Sequence, residues 1–295
     1  MRSSRLIIGF VGAAANALVL YAMIASKQHK KHLLIFNQNA FDLCSCAFLV
    51  ITYILKLCNI RLTGMLGYWL CMIILSENLL WCSISGSQIN LMSVTVERYL
   101  KVVHPGWSKK FLRKWVKYSA AGFAWIGSIA YNMAVVFSTS DVIDGVCHGY
   151  VLFKTQTAAV AHGIWNFTSL YVIVICIFVF CYGRILVVVR RQAKVMAGHS
   201  GHGSSTAQTH SNQIQYKTIK FRSDPFTSDP DQHHQDNVSA FYAITWTPNY
   251  VYYLLLNVNS NHTLLDGGYY VTIFTGFFYI CANPFIYATK FDPCS

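Results

Sequence analysis

Seven stretches of this chain stay apolar for about as long as a helix needs to cross a bilayer, and that recurrence restricts the fold more than any other property. They fall at about 6–25, 33–56, 68–101, 114–137, 160–190, 238–258 and 269–289. The hydrocarbon core of a membrane takes roughly 20 apolar residues in helical form. No water meets the backbone there, so each N–H and C=O must be paired within its own segment or in a closed barrel. The phased polar alternation of a barrel is missing. The expectation is an all-α membrane protein, a single bundle of seven transmembrane helices over residues 1–295. Composition agrees: of the 295 residues 54% are hydrophobic and only 12% charged, against roughly 25% charged in soluble domains.

Seven spans put the termini on opposite sides. Of the 23 Lys and Arg residues, the segments before span one and after spans two, four and six, with the span ends facing them, hold only Arg2, Arg5, Lys56, Arg61 and Lys154. The positive-inside rule therefore places the N-terminus outside and the C-terminus inside. The net charge of +12 reads as topology plus attraction to anionic lipid. No module for nucleic acid accompanies it. Met1 to Arg5 leads into the first span without a small-residue cleavage site, so no cleavable signal peptide is expected, and span one directs insertion into the plasma membrane. A polar stretch at about 198–236, rich in His, Ser, Gln, Asp and Gly, is expected to be a disordered third inner loop. Asn261-His262-Thr263 is a glycosylation sequon on the outer side, whereas those at Asn166 and Asn237 fall in or beside the membrane and are expected to be silent.

Several polar residues stand inside these spans, where each needs a reason. Glu97-Arg98-Tyr99 closes the third span on the inner side, and a charge at such depth is costly unless it pairs, switches or transports. Asp42 is the one mid-membrane carboxylate; it needs a cation, a proton or a network of donors. Trp246-Thr247-Pro248 lies in span six and Asn283-Pro284-Phe285-Ile286-Tyr287 closes span seven. Each proline removes a helical hydrogen bond and permits a bend. Asn16 and Trp125 mark spans one and four, as an interhelical hydrogen bonder and a packing residue. No nucleophile constellation, metal-ligand cluster or phosphate loop is present, so no enzyme is expected. The inverted repeats and discontinuous mid-membrane helices of a transporter are also missing.

In this order and spacing the motifs resemble those of the rhodopsin-like (class A) G-protein-coupled receptors, nearest in pattern to receptors for galanin-, allatostatin- and somatostatin-like peptides. The resemblance implies an extracellular ligand and a heterotrimeric G protein as partners. It makes Glu97, Arg98 and Tyr99 the G-protein switch, with Arg98 held inward at rest beside Glu97, and with Tyr182 and Tyr287 turning toward Arg98 when span six swings out. It makes Trp246, Pro248, Asn283 and Pro284 the kinks and toggle. Asp42, Ser87 and Asn283 match a sodium site. Tyr279 and Ile280 stand where the family usually has small polar ligands, so a protonated or hydrogen-bonded Asp42 is the alternative to a sodium ion. No other cofactor or metal is implied. Cys71 and Cys147 match the family's disulfide, although Cys71 lies 27 residues before Arg98, slightly farther than usual.

Pocket-facing candidates are Glu77 and Trp81 in span three, Trp165 in span five, Asn249, Tyr250 and Tyr253 in span six, and Tyr269 and Ile273 in span seven, each with lipid or core contact as the alternative. The place of the amine receptors' aspartate is taken by Leu80. An aromatic and amide-rich pocket suits a peptide, and Glu77 could pair with a cation one turn higher. Two departures bear on output. Span five lacks its usual proline, with Val174 at that place, so its bulge is not assured. Asp224-Pro225 and Asp229-Pro230 break any helix before span six, which is expected to restart near Asn237, about three turns below Pro248. The chain also ends at Phe291-Asp292-Pro293-Cys294-Ser295 without the expected amphipathic helix. Two readings result: a receptor for an extracellular peptide that activates a G protein, and, as the alternative, a non-coupling or decoy receptor-like protein.

Overall fold

A computed structural model describes residues 2–149, 153–200, 231–258 and 267–288. Helices α1 (Arg2–Ala25) and α2 (Leu33–Leu57) are followed by a short α3 (Gly64–Leu70), a π-turn at Cys71–Leu75 and α4 (Asn78–Val103). Then come α5 (Pro105–Phe111), α6 (Lys114–Thr139), α7 (Gln156–Phe167), a second π-turn at Thr168–Val172, α8 (Ile173–Ser200), α9 (Asp231–Val258) and α10 (Gly267–Ala288). By length and composition Ser4–Ala25, Leu33–Leu57, Gly64–Val103, Lys114–Thr139 and Gln156–Gln192 can each cross a membrane, and Val271–Pro284 is a shorter apolar helix. The chain is thus a helical membrane bundle.

The packing closes a ring. α1 lies against both α2 and α10, α2 against α4, α4 against α8, and α9 against α7 and α10, while α6 sits outside on α4. Polarity is distributed as lipid requires. Asn16, Gln38, Asp42, Asn90 and Asn283 are fully buried or nearly so, whereas Leu18, Phe123, Ile126, Val179 and Ile244 point outward. Apolar side chains gain nothing by leaving hydrocarbon, so polar groups and tight packing fill the interior. Gly86 shows how tight: a Cβ added there would overlap the Phe41 ring, which is itself stacked on Trp125 at 3.9 Å.

The structure departs from the sequence reading at four places. The expected continuous helix 68–101 is broken at Ser76 and Glu77. Glu77 adopts a left-handed backbone with φ of 66°, a costly conformation for a residue with a Cβ, and its carboxylate is anchored to α2. A π-turn fits one more residue per turn than an α-turn. Together with the break it absorbs the long Cys71–Arg98 interval, and the Cys71–Cys147 disulfide forms with a Cα separation of 5.4 Å.

A bulge in the fifth span exists without proline. The Leu170 carbonyl within its π-turn accepts a hydrogen bond from Tyr242 Oη at 2.9 Å. Where the described residues resume, at Asp231, α9 is already helical, so its helical form is not confined to the part from near Asn237 onward. The sequence from Asp231 to Asn237 is polar and fails an apolarity criterion, which is why the sequence reading did not extend the span through it. Of the loop expected at about 198–236, the two ends are helical and residues 201–230 lie outside the described residues. Finally, an antiparallel hairpin, β1 (Asp141–Ile143) with β2 (Val146–His148), interrupts the all-α pattern. Asp144 and Gly145 turn it with φ of 54° and 78°, the two positive values that match the twist of paired strands.

Candidate functional site

At one end of the bundle a cavity of about 570 Å³ opens between α4, α6, α7, α9 and the hairpin. Glu77, Trp81, Asn249, Tyr250, Tyr253 and Ile273 line it, as the sequence reading expected. Trp165 does not, being 59% exposed on the outside of α7. The Tyr269 side chain and Asn261 lie outside the described residues. Missed were Tyr131 and Asn132 on α6 and His162 and Asn166 on α7. Their signal was present as polar side chains within apolar spans. Asn166 donates to Tyr131 Oη at 3.2 Å, Asn132 to Ser85 Oγ at 3.2 Å, and His162 Nδ1 lies 3.2 Å from Tyr253 Oη. Glu77 carries a change of role. Its carboxylate takes Lys56 Nζ at 2.6 Å and the Tyr53 hydroxyl at 3.0 Å, so the cation it could pair with is the protein's own.

Midway through the bundle, Asp42 accepts from Ser87 Oγ at 2.9 Å and from Asn283 Nδ2 at 2.8 Å. Gln38, one turn earlier on α2, donates its amide to Ser87 Oγ. The network runs on. Asn90 donates to Gln38 Oε1 at 2.9 Å, Asn37 to Asn90 Oδ1 at 2.9 Å, and Trp125 Nε1 to Asn37 Oδ1 at 2.9 Å. Trp125 is therefore a hydrogen-bond donor as well as a packing residue. Asn16 binds the Gly12 and Ile280 carbonyls at 2.9 and 3.3 Å. Each Asp42 oxygen faces one protein donor, the Gln38 amide donates to the Ser87 hydroxyl, and the neighbouring Asn283 Oδ1 is a buried acceptor without a hydrogen-bond partner among the described residues.

At the opposite end, Arg98 is 7% exposed and its guanidinium stands 5.8 Å from the centre of the Tyr182 ring. Tyr182 Oη pairs with Ser239 Oγ of α9 at 2.8 Å. Among the described residues the ion pairs of Glu97 are with Lys101 at 2.8 Å and Lys117 at 2.6 Å, a tie to α6 in place of the local pair expected with Arg98. Tyr99 lies 3.3 Å from His104 Nε2 and packs on Phe180. The Tyr287 side chain is outside the described residues.

Residues 15–287 match the family described as 7 transmembrane receptor (rhodopsin family). The chain belongs to this family. It is a receptor, not an enzyme, a multi-pass membrane protein of a kind that works with a ligand and a G protein. No curated protein matches it.

Within the receptor the two ends are joined by touching rings. Tyr250, in the cavity wall, lies 6.0 Å from Trp246, Trp246 6.4 Å from Tyr242, Tyr242 5.8 Å from Phe178, and Phe178 6.2 Å from Tyr182. The last ring faces Arg98. Trp246 is 1% exposed, and its indole N–H has no hydrogen-bond partner among the described residues. It is held by shape alone, against Gly276, where an added Cβ would approach the indole to 3.1 Å. Pro248 leaves the Ile244 carbonyl without its helical donor. Beside it Thr247 is tied to Tyr171 at 2.7 Å. Movement of the Trp246 ring at this weakened point would displace its neighbours on both sides.

Proposed function

We propose that this chain is a seven-span plasma-membrane receptor, N-terminus outside, that binds an extracellular peptide in the α4–α6–α7–α9 cavity and activates a heterotrimeric G protein at the Arg98 end. The continuous run of rings from Tyr250 to Arg98 carries this reading. It supplies a packed path between a ligand cavity and a cation that two arrangements of α9 would present differently. A peptide is favoured because the cavity is wide, aromatic and amide-rich, and Glu77, its one carboxylate among the described residues, is neutralised by Lys56. An amine ligand would lack a partner there.

α9 also bears on coupling. It extends from Pro248 back to Asp231, about 25 Å of helix, so a lever of substantial length is present and the non-coupling alternative gains no support from a shortened α9. The test is nucleotide exchange by purified heterotrimers on membranes expressing the full chain, screened with a library of synthetic peptides. Peptide-dependent exchange should appear, weaken at least tenfold in potency in Trp81→Ala and Tyr253→Ala, and vanish in Arg98→Ala with peptide binding retained. No peptide-dependent exchange with any heterotrimer class, at verified surface expression, would refute it.

A further inference from the structure

Two free thiols meet at the seam where α1, α2 and α10 pack on one another. Cys46 of α2 and Cys281 of α10 are both buried, and neither is in a disulfide. A Cβ placed on Gly12 of α1 would stand 2.6 Å from the Cys46 sulfur and 2.5 Å from that of Cys281. Both sulfurs therefore converge on the space that Gly12 leaves by having no side chain, and no more than twice that distance separates them. The two thiols interact with each other, and Cys281 Sγ also donates to the Ile8 carbonyl, one turn earlier on α1, at 3.2 Å. A buried cysteine on its own packs as a small hydrophobe. Here two of them, from distant parts of the chain, face one another over a glycine.

The seam is also a weak point of α10. Pro284 has no N–H to give the Ile280 carbonyl, and that carbonyl is bound instead by Asn16, one turn after Gly12, at 3.3 Å. Asn283, the residue before the proline, is held to α2 through Asp42 at 2.8 Å. Asp42 lies one turn before Cys46 on the same helix. The polar tie between α10 and α2 thus consists of hydrogen bonds, which can be exchanged, placed beside a break in the helix. A covalent bond between Cys46 and Cys281 would make it fixed.

We propose that Cys46 and Cys281 form a redox-responsive pair that closes to a disulfide under a membrane-permeant peroxide and fixes α10 on α2. One thiol gives up its proton and its sulfur attacks a peroxide oxygen; the O–O bond breaks, the hydroxide released takes that proton as water, and the sulfur becomes a sulfenic acid. The second sulfur then attacks the first. The S–S bond forms, the S–O bond breaks, and the hydroxyl leaves as water with the second thiol's proton. Two thiols and one peroxide give one disulfide and two waters. Closure brings the sulfurs to about 2.05 Å, a movement of side chains that meets no Cβ at Gly12. The product is neutral and has no hydrogen-bond donor, so hydrocarbon surroundings do not oppose it. A reducing thiol reverses it by exchange. The bond needs only the helix packing, and holds whichever ligand the receptor takes.

The full-length chain in phosphatidylcholine nanodiscs would be exposed to hydrogen peroxide, its remaining thiols alkylated after denaturation, and its peptides analysed by mass spectrometry. A peptide pair joined through Cys46 and Cys281 should accumulate with dose and disappear on treatment with dithiothreitol. The oxidised chain should melt roughly 5 °C higher than the chain before exposure, and Cys46→Ser/Cys281→Ser should show no such shift at the same dose. Gly12→Ala, whose methyl group takes the space between the sulfurs, should abolish the link. Recovery of both wild-type cysteines as alkylated thiols, or as sulfinic acids without a link, would overturn the proposal. So would a link that fragmentation places at Cys44, or a linked chain whose melting is unchanged.

Discussion

Gln38 changes what Asp42 needs. A carboxylate inside a membrane demands positive charge, a proton or donors, and here Ser87 and Asn283 donate directly while the Gln38 amide backs the Ser87 hydroxyl. Thermal unfolding of the wild-type chain is therefore expected to be the same in sodium chloride as in choline chloride of equal ionic strength; a higher melting temperature in sodium would show that the ion binds. Gln38→Leu should cost about 1–3 kcal/mol, because the Asn90 amide and Ser87 hydroxyl each lose a buried partner.

A second residue-level expectation concerns Glu77. Lys56→Met leaves a largely buried carboxylate with only the Tyr53 hydroxyl, at a cost of about 1–2 kcal/mol given the partial exposure of the lysine. Adding Glu77→Gln should recover most of that loss. Melting the two single variants and the double variant checks it, and additive losses would show that the pair is not coupled. Neither Gln38 nor the Lys56–Glu77 pair could be found by matching motifs, since both are contacts between α2 and segments about 20 to 50 residues away.

At the scale of elements, the long, strongly apolar helices were legible because lipid allows so few alternatives. Predicted and observed spans agree to within a few residues for α1, α2 and α6. The π-turns were not legible. A helix tightens or loosens by one residue when a tertiary partner collects the displaced carbonyl, and Tyr242 lies 72 residues from the Leu170 carbonyl it binds. Tyr242→Phe should cost about 1 kcal/mol and speed hydrogen exchange in the Thr168–Val172 turn, as mass spectrometry of that segment would show. Unchanged exchange there would mean that the turn holds its shape without the hydroxyl. The hairpin, by contrast, was readable in principle. Asp144-Gly145 between Val142-Ile143 and Val146-Cys147 is a strong two-residue turn pattern. Gly86→Ala tests the α2–α4 contact: with Phe41 pinned by Trp125, one methyl should cost about 1–3 kcal/mol in thermal unfolding.

For the whole molecule, the ring path predicts coupling that distance alone would not. Tyr250→Phe and Phe178→Leu should each weaken peptide-stimulated exchange, and the double variant should lose less than the sum of the two single losses, because both act on one path. Strict additivity would show two independent routes. The cavity end and the Arg98 end were both legible in the sequence as polar groups in apolar surroundings, but the path between them consists of ordinary core aromatics that only the packing distinguishes.

The hairpin over the cavity is fastened twice. Cys147 on β2 is bonded to Cys71, and the Gly145 carbonyl at its tip accepts from the Leu62 backbone N–H at 3.0 Å. A doorway framed this way does not swing. Arrival of a ligand is then governed by whether its shape clears a fixed aperture, so association rates among related peptides should track their bulk, while the time each one stays should follow the contacts it makes once inside.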